Sequence, residues 1–200
     1  RLTILETLGG GVCLFDADGD SDLDLYCPGG GAFDKQSGAV TGIAGKLFRN
    51  DGDCRFTNVT AKAGLSQATD YSHGAVAGDY DRDGDLDLFV FCFGQSRLYR
   101  NDGGAFVEVT EAAGLMVQSW DTAAVFADVT GDGWPDLYVA TYVAFDPRTA
   151  RPCGHPPDRP DVCPPQNYSA LPDRLYVNQG DGTFMERSAD AGLTEPGRGL

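Results

Sequence analysis

An internal repeat constrains this chain more than any other feature of its sequence. Each copy has a short apolar stretch, an Asn-containing turn with Gly, a second stretch that opens with Phe, and then Ala-Gly-Leu. The three copies lie at Lys46–Leu65, Arg97–Leu115 and Arg174–Leu193. This order predicts a β-hairpin followed by one short turn that ends at the glycine. Repeats of this kind bury their apolar faces by stacking against one another.

A second repeated element alternates with the first. It consists of a small-residue strand, an Asp-rich loop and a strand of the type Asp-Leu-aromatic, and its copies lie at Gly11–Cys27, Gly74–Cys92 and Ala123–Ala140. One period therefore holds four short strands, and adjacent periods lie about 50 residues apart. Four antiparallel strands per repeat form the blade of a β-propeller. We predict an all-β fold in which residues 1–200 form part of a β-propeller of about three to four blades. A sandwich or another solenoid is the alternative.

Two segments interrupt the repeat. Residues 28–45 are Gly-rich, whereas residues 141–172 are Pro-rich and contain His155. Both are predicted to be loops on the rim of the propeller.

The six cysteines form no CxxC pair, so a zinc site is not expected. Cys153 and Cys163 bracket the Pro-rich loop, and we predict a disulfide that closes it. Cys13 and Cys27 flank the first Asp-rich loop and could face each other across a hairpin. For all four cysteines outside the insert, the alternative is a buried free thiol. A disulfide favours an oxidising compartment.

The three Asp-rich loops are predicted to bind Ca²⁺, which accepts six to eight oxygen ligands in flexible geometry. In the second loop, residues 79–87, Gly84 allows the sharp turn. Without a cation, carboxylates this close would repel one another, although a solvated acidic turn is the simpler alternative. The predicted ligands are the side chains of Asp79, Asp81, Asp83 and Asp87 and the backbone carbonyl of Asp85.

The first loop, residues 16–24, has Ser21 where glycine is expected. A left-handed conformation costs about 1–2 kcal/mol at a residue other than glycine, so we expect weaker binding there. The predicted ligands are Asp16, Asp18, Asp20, Asp22 and Asp24.

The third loop, residues 128–136, has the neutral Thr130 in place of a carboxylate, which predicts lower affinity. Its predicted ligands are Asp128, Thr130, Asp132, Trp134 through its carbonyl, and Asp136. An EF-hand is excluded for all three loops, because that motif needs a glutamate at position twelve and flanking helices. The residues at position twelve are Cys27, Val90 and Val139.

The order of these motifs resembles the FG-GAP or VCBS repeats of integrin α-subunit propellers. The residues that carry the resemblance are the loop DYDRDGDLDL and the hairpin LYRNDGGAF. The Ala-Gly-Leu ending and the Cys-containing insert before PDRLYVNQGDGTF are similar to the cartilage acidic protein and ASPIC/UnbV group. The resemblance covers nearly the whole chain.

This resemblance implies a seven-bladed propeller, secreted or exposed on a cell surface. It also implies calcium between the first two strands of a blade, at the ligand positions given above. Seven blades require roughly 350 residues. The chain is therefore interpreted as part of a longer protein, and by itself it is expected to expose two unpaired blade faces.

The formal net charge of −15 argues against binding to nucleic acid or to an anionic membrane surface. No apolar run has the length of a membrane span, and direct membrane insertion is not expected. We predict a binding, adhesion or scaffold module that is secreted, periplasmic or on the cell surface. Its partner would be a protein or glycan bound on the propeller rim.

We do not expect the chain to be an enzyme. The alternative is a part, catalytic or not, of a calcium-dependent carbohydrate-active enzyme, which would need a pair of carboxylates. Most of the acidic residues lie in the predicted metal loops, and no Ser–His–Asp arrangement is visible. His73 is predicted to be packed or hydrogen-bonded.

Overall fold

A computed structural model describes residues 4–8, 10–34, 36–149, 153 and 162–197 of the chain. Most of its regular structure consists of three antiparallel units of four strands, one for each sequence period, which we call blades 1, 2 and 3. Blade 1 is a four-stranded sheet, whereas blades 2 and 3 are joined into one sheet of eight strands. Two short 3₁₀ helices, Ile4–Thr7 and Pro165–Asn167, complete the regular elements of the described residues. This confirms the prediction of an all-β fold, a partial β-propeller. His155 lies outside the described residues.

Blade 1 has the strand order β1-β2-β5-β6, with a separate hairpin, β3-β4, between its second and third strands. The strands are β1 (Cys13–Phe15), β2 (Asp24–Cys27), β3 (Gly31–Phe33), β4 (Val40–Gly42), β5 (Lys46–Asn50) and β6 (Phe56–Asn58).

Blades 2 and 3 repeat this order of four strands. Blade 2 consists of β7 (Tyr71–Gly78), β8 (Asp87–Gln95), β9 (Arg97–Asp102) and β10 (Ala105–Glu108). Blade 3 consists of β11 (Gln118–Ala127), β12 (Asp136–Thr141), β13 (Arg174–Asn178) and β14 (Phe184–Glu186).

The apolar cores lie between the blades. Strand β8 shows why: its sequence is apolar on both faces, and side chains alternate between the faces of a strand. Leu88 and Val90 pack into a core with blade 1, whereas Phe89 packs into a second core with blade 3. All three side chains are buried. A central blade therefore buries both of its faces, and each face needs a neighbouring blade.

Blades 2 and 3 are also joined by hydrogen bonds between strands. The end of β8 pairs with the start of β11, with Phe93 opposite Trp120. This junction lies at the end of the strands away from the Asp-rich loops. Beside it, a third apolar cluster forms around Trp120 and contains Ile4, Leu5 and Tyr142.

Residues 28–45 were predicted to be a loop, but they contain the β3-β4 hairpin. Glycine explains the difference. A Cβ atom at Gly42 would lie 1.7 Å from the carbonyl oxygen of Thr69, just before β7, and one at Gly31 would lie 2.6 Å from the Tyr71 ring. The Gly-rich composition therefore allows a hairpin to lie directly against its neighbours.

The predicted disulfide between Cys153 and Cys163 is present. Cys13 does not face Cys27, because it lies opposite Tyr26 in the β1-β2 ladder. Cys13 is a buried free thiol, as is Cys92, whereas Cys27 is half-buried and Cys54 is exposed. The buried-thiol alternative thus holds for two of these four residues. None of the helices in the described part of the chain is long and apolar enough to cross a bilayer.

His73 lies within β7 and packs between the rings of Tyr71 and Trp120, which confirms the prediction that it is a packed, hydrogen-bonded residue. The Trp120 indole Nε1 donates a hydrogen bond of 2.9 Å to His73 Nε2, and the two rings stack. Because Nε2 accepts this bond, the imidazole is neutral. Burial lowers the pKa of His73 to about 4.

This pKa predicts a loss of stability in acid. The unfolded chain binds a proton near pH 6.5 and the folded chain only near pH 4, so the stabilisation is complete above pH 6.5 and is lost as the pH falls toward 4. We expect the free energy of unfolding to decrease by about 2–3 kcal/mol from this group. Denaturant unfolding between pH 7 and pH 4 measures it. The His73→Gln variant keeps an acceptor for Trp120 and should lose this part of the pH dependence; an identical pH profile in both proteins would contradict the prediction.

Candidate metal centre

The second Asp-rich loop joins β7 to β8 and brings three carboxylates together. One oxygen from each of Asp79, Asp81 and Asp87 lies within 4.8 Å of the other two. The loop turns back on itself, and the Gly84 N–H donates to Asp79 Oδ2. Hard oxygen donors at this separation are the ligand set that Ca²⁺ prefers.

Two carboxylate oxygens of this group are buried without a hydrogen-bond partner among the described residues. They are Asp79 Oδ1 and Asp81 Oδ1. An unpaired buried acceptor costs free energy, and a carboxylate more than a neutral group. Burial, together with the neighbouring Asp83 carboxylate, raises the pKa of Asp81. A divalent cation would supply the missing partner, so the residues present fit a bound metal ion.

Asp87, the last residue of the second loop, fixes this loop through hydrogen bonds to backbone N–H groups. Its oxygens accept hydrogen bonds from the backbone N–H of Tyr80 at 3.0 Å and of Asn101 at 2.9 Å. The side chain is fully buried. Burial raises the pKa of Asp87 to about 7, although both N–H donors favour the ionised form. This residue therefore ties the Asp-rich loop to the β9-β10 hairpin and also belongs to the group of three carboxylates.

Asp83 and Asp85 of the same loop are not part of the three-carboxylate group. Asp83 Oδ1 accepts from the N–H of Asp85, and Asp85 Oδ2 accepts from the N–H of Gly103 at 2.7 Å. The side chain of Asp85 thus caps the hairpin, which leaves its backbone carbonyl as the predicted ligand.

The first loop repeats the arrangement between β1 and β2. Asp16, Asp18 and Asp24 have oxygens within 4.8 Å of one another, whereas Asp20 and Asp22 lie outside the group. Burial, and then the charges of Asp20 and Asp24, raise the pKa of Asp18. Asp16 accepts hydrogen bonds from three backbone N–H groups of the loop, those of Gly19, Asp20 and Ser21.

The third loop, between β11 and β12, has a different balance of charges. Thr130 Oγ1 donates a hydrogen bond of 3.3 Å to Asp128 Oδ1 instead of adding a charge. Asp128 also accepts from the N–H of Gly131, Asp132 and Gly133, and these bonds, that from Gly133 foremost, lower the pKa of Asp128. Asp132 accepts from the N–H of Trp134. Asp136 is buried and repeats the anchoring role of Asp87.

Each loop has two residues with positive φ, at positions four and six. At position six these are Ser21 (φ 73°), Gly84 (φ 100°) and Gly133 (φ 91°), as the sequence predicts. At position four, Gly19 and Gly131 are matched by Arg82 (φ 59°), which sequence reasoning missed. The guanidinium of Arg82 lies over the Trp134 ring of the next loop, 5.3 Å from its centroid, and this contact offsets part of the backbone strain.

Sequence reasoning also missed the asparagine of each hairpin. Asn101 is buried, and its Nδ2 donates to the carbonyl of Leu86 in its own blade and to that of Ala17 in blade 1. Asn178 does the same with Pro135 and with Tyr80 of blade 2. The signal was available in the sequence, because an asparagine recurs at this hairpin position in every repeat.

A family model described as FG-GAP-like repeat matches residues 16–90 and 86–139, more than half of the chain. The first matched segment includes the whole of the first two Asp-rich loops, and the second segment includes the third. A search of curated proteins found no match to this chain.

The backbone conformation of Ser21 predicts that glycine is better there. We expect Ser21→Gly to raise the free energy of unfolding by about 0.5–1 kcal/mol, once the greater freedom of glycine in the unfolded chain is subtracted. Denaturant unfolding in EGTA isolates this backbone effect from metal binding. The reverse change at the equivalent position, Gly84→Ser, should destabilise. If both variants match the parent, the strain assigned to this position is absent.

Proposed function

Because the chain belongs to the FG-GAP-like repeat family, we propose that it is a calcium-binding propeller module whose metal ions hold the loops between strands. The observation that carries the proposal is a pair of buried oxygens, of Asp79 and Asp81, in a group of three carboxylates; within the described part of the chain neither oxygen has a hydrogen-bond partner. Bound Ca²⁺ supplies positive charge there. The protein residues fix the loop: Asp87 holds its start, and Gly84 makes its turn.

The proposal ranks the three loops. The second loop comes first, since two oxygens of its three grouped carboxylates lack a partner among the residues that the structure describes, and its sixth position is glycine. The first loop has the same carboxylate group but carries the strain at Ser21. The third loop comes last, because Thr130 brings no charge and Asp128 is already satisfied by backbone donors.

Isothermal titration calorimetry with Ca²⁺ tests the metal site directly. We expect Asp81→Asn to remove the tightest site, because it takes away a charged ligand whose Oδ1 has no other partner among the described residues. Asp53→Asn is the matched control: it removes the same charge at an exposed hairpin position outside the three loops. Unchanged binding in Asp81→Asn, or equal losses in both variants, would refute the assignment of this loop.

Calcium removal should lower the melting temperature. A ligand at one hundred times its dissociation constant stabilises the folded state by about 2.7 kcal/mol per site. For a chain of this size each kcal/mol corresponds to about 2–4 °C, so excess EGTA should lower the melting temperature by about 5–10 °C per occupied site. Scanning calorimetry in calcium and in EGTA measures the shift. A melt that does not respond to EGTA would remove the structural role, and re-addition of calcium is the control.

We further propose that the module acts in an extracytoplasmic space, either secreted, periplasmic or on a cell surface. The disulfide between Cys153 and Cys163 supports this, since such bonds persist in oxidising compartments. Weak calcium sites of extracellular modules bind at roughly 10⁻⁴–10⁻³ M, which suits a calcium-rich space. Within the family we propose the ASPIC/UnbV group, on the strength of the Cys-containing insert at residues 141–172.

The proposed role is binding of a protein or glycan partner rather than catalysis. A cavity of about 790 Å³ lies where the insert meets the strand ends opposite the metal loops. Its described lining includes the rings of Phe93, Phe145 and Tyr168 and the amides of Gln118 and Asn167. Aromatic faces beside amide groups provide an apolar surface with a few directed hydrogen bonds, as ligand pockets do.

A further inference from the structure

The second and third Asp-rich loops are in contact through the side chains of Arg82 and Trp134. Arg82 is at position four of the second loop, in blade 2, and Trp134 is at position seven of the third loop, in blade 3. The Arg82 guanidinium lies 5.3 Å from the centroid of the indole ring. A Cβ atom at Gly133 would lie 3.3 Å from Arg82 Nη1, so the guanidinium also lies against the backbone of the third loop.

The Trp134 indole is also held by its own blade. A Cβ atom at Gly180 would lie 3.1 Å from Cε2 and Nε1 of the ring, so only glycine leaves room for the indole against the β13-β14 hairpin. The Trp134 N–H donates a hydrogen bond of 2.9 Å to Asp132 Oδ1, and Pro135 disfavours the helical region for the residue before it. The direction of the Trp134 carbonyl, a predicted ligand of the third loop, therefore depends on where the ring is held.

The position of Arg82 depends in turn on the second loop. Its φ of 59° is unfavourable at a residue other than glycine, and the neighbouring carboxylates repel one another. Both effects favour a relaxed loop in which Arg82 leaves the ring. A cation bound by the three grouped carboxylates, Asp79, Asp81 and Asp87, opposes that relaxation and fixes the backbone next to Arg82.

The first and second loops lack this contact. The equivalent of Arg82 in the first loop is Gly19, which has no side chain, and the equivalent of Trp134 in the second loop is Asp85. The Asp85 carboxylate accepts the N–H of Gly103 in its own blade instead. The first loop is therefore an internal reference for the other two.

We infer that Arg82, a residue of the second loop, is a positioning residue for the third loop, and that these two loops bind Ca²⁺ with positive cooperativity. The inference rests on the proposed calcium binding. Loading of the second loop holds Arg82 on the Trp134 ring, and the ring holds the carbonyl assigned to the third site. By linkage, loading of the third loop strengthens the second by the same factor. A cation–π contact at an exposed site corresponds to about two- to fivefold in affinity.

The charge of Arg82 acts in the opposite direction, because a guanidinium beside the third loop repels a cation there. Arg82 is exposed, so at a salt concentration of about 0.15 M this repulsion is largely screened. Arg82→Lys keeps the charge but loses the planar group that stacks on the ring, whereas Arg82→Ala loses both. We expect both variants to bind Ca²⁺ at the third loop about two- to fivefold more weakly. Charge repulsion alone would instead make Arg82→Ala bind more tightly and leave Arg82→Lys unchanged.

Calcium titration followed by tryptophan fluorescence measures the third loop. Of the two tryptophans, Trp120 is buried at the end of the strands away from the Asp-rich loops, so the signal comes from Trp134. Asp81→Asn, in the second loop, should weaken the third site by the same two- to fivefold factor, about as Arg82→Ala does. Asp18→Asn, the equivalent change in the first loop, is the matched control and should leave the third site unchanged.

The double variant Asp81→Asn/Arg82→Ala completes the test. If both changes act through the same contact, it binds Ca²⁺ at the third loop no more weakly than either single variant. Additive losses overturn the inference, as do tighter binding in Arg82→Ala, equal effects of Asp18→Asn and Asp81→Asn, or a parent chain whose third loop takes up no Ca²⁺. Calorimetry on the parent separates the two proposals: no calcium binding at any loop refutes the proposed function, whereas independent sites refute the coupling alone.

Discussion

The described fold depends on a line of hydrogen bonds that runs through three buried aspartates, Asp24, Asp87 and Asp136. Each accepts an N–H from the second residue of its own loop and one from the asparagine of its own hairpin, and Asp136 also accepts the N–H of Thr130. That asparagine then donates its side-chain amide to the loop carbonyl of the preceding blade. The result is continuous from Asn50 to Val129 across all three blades. Buried carboxylates are costly unless they are fully bonded, and here each one is held by charge-assisted bonds from backbone donors.

This line of hydrogen bonds couples the Asp-rich loops to the blade interfaces. Asp87 lies in the carboxylate group of the second loop and also holds Asn101, whose amide reaches blade 1. A cation that draws Asp79, Asp81 and Asp87 together therefore acts on a residue that positions the neighbouring blade. The acidic residues are concentrated where backbone N–H groups need acceptors, so the same carboxylates fix the loop geometry and concentrate negative charge.

Much of the fold could be predicted because the repeat fixes strand order and the alternation of apolar residues fixes which faces are buried. The left-handed conformation of Ser21 and the disulfide of the insert could also be predicted, because each depends only on residues that are close in sequence. What could not be predicted depended on contacts distant in sequence. Asn101 and Asn178 look like ordinary turn residues until the preceding blade is in place. The β3-β4 hairpin depends on Gly42 approaching Thr69, and the strain at Arg82 is matched by a ring in another loop.

Because β8 pairs with β11, the interface between blades 2 and 3 differs from that between blades 1 and 2. Blades 2 and 3 share one continuous sheet through Phe93 and Trp120. Among the described residues, blade 1 joins blade 2 through the side-chain amide of Asn101, single backbone hydrogen bonds and apolar packing. Regions with fewer cross-linking contacts open at lower free energy than the rest of a protein. Under mechanical tension blade 1 would therefore separate from blade 2 as a unit, while blades 2 and 3 would stay joined through their shared sheet.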